Sequence, residues 1–216
     1  MAAGLAQAAT PAVASAFDVV LERVAASRVD RARRTLSLSA AMTEADEALL
    51  VEAMAQHHRS LELLASSLDA ASRSTAEMKI AVFARSIANG YLTSDEALVD
   101  IELEVVAAFR LLEAAHLRVL LCLAQPDARH PGFGRGMTID ELSHISGGSM
   151  CPTIRPIVAT LEQAGLIAQH RELSSGWLPP HRGLLRRTVH GRAPMWSVTR
   201  FGRRCVARVE TEPDRF

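Results

Sequence analysis

Apolar residues recur at helical spacing through the first half of the chain, with polar residues between them. The pattern predicts a first helix from Ala12, because apolar residues three and four positions apart share one helix face. That face would carry Phe17, Val20, Leu21 and Val24. Since a single amphipathic helix cannot bury its own apolar face, residues 12–113 are expected to pack into an all-helical bundle.

Three further helices are predicted in this bundle. The second begins at Thr43, whose hydroxyl fits an N-cap and precedes acidic residues that suit the positive end of the helix dipole. The third covers Ala76 to Ala88 and ends at Asn89-Gly90, and Thr93 or Ser94 caps the fourth. The apolar face of the second helix would carry Leu50, Met54, His57 or His58, Leu61, Leu64 and Leu68. The faces of the other two would carry Ile80, Phe83, Ala84, Ile87 and Tyr91, and Leu98, Ile101, Val105, Phe109 and Leu112.

The second half of the chain alternates shorter helices with strands. A helix over Leu111 to Gln125 is followed by a loop rich in Pro and Gly over residues 126–136. The segment Thr138-Ile-Asp-Glu has the pattern of a capping box, which predicts a short helix over Ile139 to Ile145. Gly147-Gly148 then favours a tight turn.

The next helix is predicted to begin near Thr153, which places Pro156 in its first turn, where proline is tolerated. Its buried face would carry Ile154, Ile157, Val158 and Leu161. Gly165 supplies the C-terminal stop, and strands are predicted over Leu166–Leu173 and Pro194–Thr199. An ordinary helix–turn–strand unit is the plainer interpretation of this stretch.

The stretch Thr153–Ile167, TIRPIVATLEQAGLI, resembles the recognition helix and following strand of MarR-like bacterial winged-helix regulators. The segment from His116, HLRVL, is similar to the first helix of that family. The segment from Val198, VTRFGRR, is similar to its closing L-T-x-x-G segment. The resemblance covers residues 114–208. It implies a winged helix-turn-helix domain with a small β-hairpin wing that binds double-stranded DNA.

The resemblance implies DNA contacts from the recognition helix and from the wing. At the helix, Ser149, Thr153 and Arg155 would face the groove, and Arg155 could contact a guanine bidentately. The segment between the two strands is rich in basic residues, namely Arg182, Arg186, Arg187, His190 and Arg192. Arginine binds phosphates bidentately and suits a narrow minor groove, so this segment is expected to lie on the DNA backbone.

Charge is distributed unevenly in a chain that is neutral overall. Residues 44–113 hold 13 acidic and 5 basic side chains, whereas residues 114–216 hold 14 basic and 8 acidic ones. Residues 1–43 hold five basic and three acidic side chains. Four of those basic residues form a cluster, Arg28, Arg31, Arg33 and Arg34. We interpret this cluster as a solvated helix end, with a nucleic-acid-binding arm as the alternative.

The charge asymmetry indicates two units with different partners, the basic one suited to a polyanion. The fold class expected is mainly α, with an N-terminal helical bundle followed by a winged helix-turn-helix domain. Residues 1–11 would form a flexible N-terminus. Residues 12–113 would form an acidic bundle for oligomerisation or signal reception. The winged helix would occupy residues 114–208, and residues 209–216 would form a tail.

Other chemistry is weakly indicated. The sequence holds no GxSxG, P-loop, GxGxxG or HExxH motif, so neither an enzyme nor a bound cofactor is expected. His57, His58 and Glu62 could form a metal set. Neighbouring histidines point about 100° apart on a helix, however, which favours a half-exposed helix face.

The cysteines and the apolar runs predict a cytoplasmic protein. Cys122, Cys151 and Cys205 are widely spaced, with no CxxC pair, which is typical of thiols in a reducing compartment. Cys151 lies near a helix N-terminus, where a thiolate is favoured, so it is a candidate redox sensor. No signal peptide and no membrane-spanning run is expected.

The sequence therefore predicts a transcriptional regulator that binds double-stranded DNA through a winged helix. A homodimer formed by the helical N-terminal half is expected, because palindromic DNA sites need proteins with two-fold symmetry. The alternative is a winged-helix module that binds another protein and no DNA. No small-molecule effector is indicated.

Overall fold

The computed structural model of the chain describes residues 11–127, 130–134, 136–145, 153–170 and 193–210. These residues are mainly helical, with a small antiparallel sheet of three strands. They divide into two compact units between Val106 and Ala107, within a helix. The boundary expected from the sequence, between residues 113 and 114, lies just after that helix. None of the helices described is both long and apolar enough to cross a bilayer.

The first unit is a bundle of amphipathic helices. Its helices are α1 (Pro11–Thr43), α2 (Glu47–Ala55), α3 (His58–Arg73), α4 (Glu77–Leu92) and the first part of α5 (Glu96–Leu111). The C-terminal part of α1 packs on α3 and α4, and α2 packs on α3. Fully buried side chains fill the space between them, among them Leu50, Met54, Leu63, Ile80, Phe83 and Ile87. The helical bundle expected from the apolar pattern is therefore present.

The arginine cluster lies within α1, so its interpretation as a helix end is wrong. Arg31 donates hydrogen bonds from Nε and Nη2 to the carbonyl oxygen of Ser72, at 3.0 and 2.7 Å. Arg34 forms an ion pair with Glu77 at 2.9 Å. These two arginines connect α1 to the end of α3 and the start of α4.

The helix caps differ from those expected. Thr43 is the last residue of α1, and its hydroxyl donates to the Ser39 carbonyl at 3.1 Å instead of capping α2. The N-cap of α2 is Asp46, whose Oδ1 accepts from the Ala48 amide at 2.8 Å. At α5, Asp95 Oδ1 accepts from the Ala97 amide at 2.9 Å. Both caps have the sequence Asp-x-Ala. The predicted hydroxyl caps, Thr43 and either Thr93 or Ser94, are therefore wrong.

The second predicted helix is two helices. The chain breaks between Ala55 and His58, and α3 then buries a face that includes Ser60 and Ser67 together with Leu63 and Leu64. Leu61 is 44% exposed. Leu50, Met54 and Leu64 of the predicted face are buried and Leu68 is half-buried, so the prediction is wrong at Leu61, where the break between α2 and α3 changes the register.

The third predicted helix continues past Asn89-Gly90 to Leu92. A Cβ at Gly90 would overlap Leu63 Cδ2 of α3, a side chain that is fully buried. Gly90 therefore permits close packing between two helices and does not end one. The buried face predicted for this helix is otherwise confirmed, since Ile80, Phe83, Ala84 and Ile87 are buried.

The second unit combines short helices with strands. After the end of α5 it contains α6 (Ala114–Ala124), β1 (Pro126–Asp127), β2 (His130–Gly134), β3 (Met137–Thr138), α7 (Ile139–Ile145), α8 (Ile154–Gln163), β4 (Ile167–His170), β5 (Met195–Val198) and α9 (Arg200–Glu210). The three-stranded sheet has the order β3-β5-β4, and both pairs are antiparallel. Helix α6 packs on α7, α8, α9 and β5, so it is the central element of this unit.

Several boundaries in the second unit agree with the sequence. Helix α7 has the predicted bounds, and β4 and β5 lie within the predicted strands. The Pro- and Gly-rich segment is more regular than the predicted loop, because β1 and β2 pair in an antiparallel hairpin. The first two residues of the predicted tail belong to α9, and Pro11 of the predicted flexible N-terminus begins α1.

Replacing Asp46 with Ala is expected to lower the free energy of unfolding by about 1 kcal/mol, because the first turn of α2 loses its acceptor. Thr43→Ala should cost less, about 0.5 kcal/mol, because that half-buried hydroxyl donates only to carbonyl groups in the last turn of its own helix. Urea denaturation followed by circular dichroism measures both. A larger loss for Thr43→Ala would contradict the observed cap.

Candidate nucleic-acid interface

Helix α8 is the helix that sequence analysis places in a DNA groove. Its N-cap is Thr153, and its buried residues are Ile154, Ile157, Val158 and Leu161, as the apolar spacing predicts. The predicted start near Thr153 is therefore confirmed. Pro156 occupies the third helical position, where its missing N–H would have no acceptor in the helix in any case.

The opposite face of α8 is exposed. It presents Thr153 and Arg155 at the N-terminal end, Pro156 and Ala159 in the middle, and Glu162 and Gln163 at the C-terminal end. Arg155 is the single basic side chain on this helix, and it lies in the first turn. The face is smooth near Ala159, which would let a helix approach a flat or concave partner closely.

Two local hydrogen-bond patterns define the elements next to this face. At the start of α7, the Glu141 amide donates to Thr138 Oγ1 at 3.3 Å, and the Thr138 amide donates to Glu141 Oε2 at 2.8 Å. This is the reciprocal capping box that the sequence predicts. It fixes the start of α7, which packs against α8 and β3.

The end of α8 is a Schellman motif. The Gly165 amide donates to the Glu162 carbonyl at 2.9 Å, and the Leu166 amide donates to the Leu161 carbonyl at 3.0 Å. Gly165 has φ +70°, a left-handed conformation that favours glycine. The predicted helix stop at Gly165 is confirmed, and it turns the chain directly into β4.

The resemblance to L-T-x-x-G has a physical explanation at the start of α9. Thr199 Oγ1 donates to the Gly165 carbonyl at 2.7 Å and accepts from the Gly202 amide at 2.9 Å, so it caps α9 and connects it to the end of α8. A Cβ at Gly202 would overlap the Leu166 carbonyl oxygen and lie 2.8 Å from Val198 Cγ1. Only glycine allows α9 to approach Leu166, the residue before β4, this closely.

Two of the seven predicted DNA contacts lie within the described residues. Thr153 and Arg155 lie together on the exposed N-terminal end of α8. The other five predicted contacts, together with the candidate redox cysteine, lie outside the described residues: Ser149, Arg182, Arg186, Arg187, Arg192 and Cys151. The Gly147-Gly148 turn lies outside them as well.

The sequence contained a basic helix face that the motif-based analysis did not use. Helix α9 has arginines at positions 200, 203, 204 and 208, a spacing that places them on one side of the helix. Cys205 and Val206 on the opposite side are buried. Arg200 and Arg204 are exposed, and Arg203 Nη1 donates to the Val198 carbonyl at 3.1 Å. The three- and four-residue spacing of these arginines is evident in the sequence alone.

The other candidate chemistry stays without structural support in the part of the chain that is described. No group of three or more His, Cys, Asp or Glu residues there could hold a metal ion. Cys122 is half-buried and Cys205 is buried, and neither forms a disulfide with another described residue. Glu62, the third member of the possible metal set with His57 and His58, forms an ion pair with Arg59 at 3.0 Å.

The chain matches no protein-family model, no curated protein and no solved structure. The candidate interface is therefore defined by its own residues and by the geometry around α8.

Gly202→Ala is expected to lower the free energy of unfolding by about 2 kcal/mol or more, because α9 must move away from the Leu166 carbonyl. Arg204→Ala, an exposed position on the same helix, should change it by less than about 0.5 kcal/mol. Chemical denaturation of both variants checks this. Equal stability of the two would show that α9 does not pack as closely as described.

Proposed function

We propose that the chain is a transcriptional regulator that binds double-stranded DNA through its second unit, with α8 as the recognition helix. The observation that carries the proposal is the exposed face of α8. Its first turn presents Thr153 and Arg155, while the opposite face is fully packed. A helix N-terminus with an arginine is suited both to a phosphate and to a guanine edge.

The order of elements supports this proposal. Helices α7 and α8 are consecutive and pack on each other, and they are followed by two antiparallel strands. Residues 171–192 connect β4 to β5, so the arginine-rich segment joins adjacent strands, as a wing would. The net positive charge of residues 114–216 favours the same partner.

We further propose that two copies associate through the N-terminal half of α1. Residues 18–30 of α1 are exposed except for half-buried Ser27. Val20, Leu21 and Val24 form an apolar stripe there and are 56%, 51% and 43% exposed. Val24 lies eleven residues, or about three helical turns, before Thr35, which is buried against the bundle. The stripe therefore continues the face of α1 that packs on the bundle. The apolar face of α1 therefore extends beyond the part that α3 and α4 cover.

A second copy fits this stripe better than an unrelated partner does. In an antiparallel pair of α1 helices, the apolar stripes of the two copies would face each other, and the helix dipoles would oppose. A helix projecting without tertiary contacts is only marginally stable, so association would also stabilise α1 itself.

One observation favours the alternative, a module that binds protein. The exposed face of α8 carries a single basic side chain, and Glu162 lies near its C-terminal end. A face of this composition gives few direct base contacts. The wing would then have to supply most of the affinity for DNA. The salt dependence of DNA binding therefore separates the two functions.

Binding to a mixed-sequence duplex, measured by fluorescence anisotropy, is expected to weaken steeply with salt. The log–log slope should be about −4 to −5, as expected for roughly five phosphate contacts. Arg155→Ala should weaken preferred sites by about 1–3 kcal/mol, whereas Arg186→Glu with Arg187→Glu should weaken every sequence. Arg73→Ala, at an ion-paired position on α3, is the control. Absent or salt-independent binding would contradict DNA recognition.

Val20→Glu combined with Val24→Glu is expected to raise the dimer dissociation constant by about 100-fold, because two apolar contacts are lost and like charges meet. Val19→Glu combined with Val29→Glu adds the same charge to exposed positions of α1 that lie off the stripe. This control should change the constant by less than about threefold. Light scattering after gel filtration measures both.

A monomeric wild-type chain at about 100 μM, or equal effects of the two double variants, would exclude this dimer.

A further inference from the structure

The first unit contains a pocket of about 360 Å³ at one end of the bundle. The end of α2, the start of α3, the end of α4 and the start of α5 form its walls. This volume is within the range of pockets that hold small organic ligands. Met54 and Val99 contribute apolar surface, and Tyr91 contributes an aromatic ring with a hydroxyl.

The N-terminus of α3 at this pocket has no side-chain cap. His57 is the N-cap residue, and its side chain makes no hydrogen bond to the first turn. The first backbone hydrogen bond of α3 runs from the Leu61 amide to the His57 carbonyl at 2.9 Å. The preceding amides therefore have no acceptor within the helix. By contrast, aspartates cap the first turns of α2 and α5.

The side chain of a buried serine lies beside these amides. Ser60, in the first turn of α3, lines the pocket and is 9% exposed. Within the described part of the chain, its hydroxyl makes no hydrogen bond to another protein group. A hydroxyl that lines the pocket and has no protein partner is available to donate to an acceptor bound there.

We propose that this pocket binds a small organic oxyanion, a carboxylate or a phosphate ester, with the charged group at the N-terminus of α3. The uncapped amides and the Ser60 hydroxyl would donate to the oxygen atoms, and the positive end of the helix dipole favours the charge. The apolar part of the ligand would contact Met54 and Val99. This site is a candidate signal-receiving site, and it requires neither DNA binding nor dimerisation.

The charged side chains that line the pocket indicate which groups would bind the anion. Arg59 is the single Lys or Arg among the described wall residues, and Glu96 is the single Asp or Glu. The Arg59 guanidinium already pairs with Glu62 at 3.0 Å and with Asp100 at 3.4 Å. The backbone at the start of α3, rather than an arginine, therefore provides the donors for the ligand.

The test compares probes of nearly the same shape and different charge on the full chain. Phenylacetate and phenyl phosphate, at matched ionic strength, should raise the melting temperature in a saturable way. Phenylacetamide, the neutral analogue of phenylacetate, should not. Equal responses to phenylacetate and phenylacetamide would overturn the proposal. No response to either anion at about 10 mM, which would mean a dissociation constant weaker than that concentration, would overturn it as well.

Two variants locate the site. Ser60→Ala should weaken phenylacetate about fivefold, the loss of one hydrogen bond, whereas Ser66→Ala on a half-buried part of α3 should not weaken it. His57→Asp should raise the melting temperature without ligand, because it supplies the missing cap. It should also weaken phenylacetate by about tenfold or more, because its carboxylate occupies the anion position. Unchanged affinity in His57→Asp would overturn the proposed site even if DNA binding is established.

Discussion

The carbonyl group of Leu166 is the point on which the second unit depends. It accepts from the Thr199 amide at 3.0 Å, and Gly202 of α9 lies directly against it. The amide of the same residue completes the end of α8. One residue, Leu166, therefore joins the end of α8, the start of β4 and the start of α9. This junction fixes which face of α8 is buried and which is left for a partner.

The first unit is organised by a different constraint, the length of α1. Among residues 18–43 of this helix, the part from Arg31 onwards packs against other helices of the bundle. The same packing face then continues uncovered along Val20, Leu21 and Val24. The uncovered stripe of α1 and the pocket at the end of the bundle are thus parts of one unit. If the stripe is a dimer interface and the pocket a ligand site, as proposed, the first unit would combine oligomerisation with signal reception, and the second unit would bind DNA.

The sequence predicted best those features that neighbouring residues determine. The Thr138–Glu141 capping box, the Gly165 stop and the buried stripe of α8 all depend on residues within one or two turns. The sequence predicted helix ends poorly where packing between helices determines them. Gly90 reads as a helix end, yet α4 continues because Leu63 of another helix leaves room only for glycine. Thr43 fails as a cap because α1 continues through it.

The central claim is that the exposed face of α8 lies against the DNA. A photo-crosslinking amino acid at Ala159, in the middle of that face, tests it most directly, with the same group at exposed Ala65 on α3 as the control. If α8 binds DNA through this face, position 159 should give salt-sensitive crosslinks to duplex DNA and position 65 should give none. Equal crosslinking at both positions, or crosslinking from position 65 alone, would contradict it.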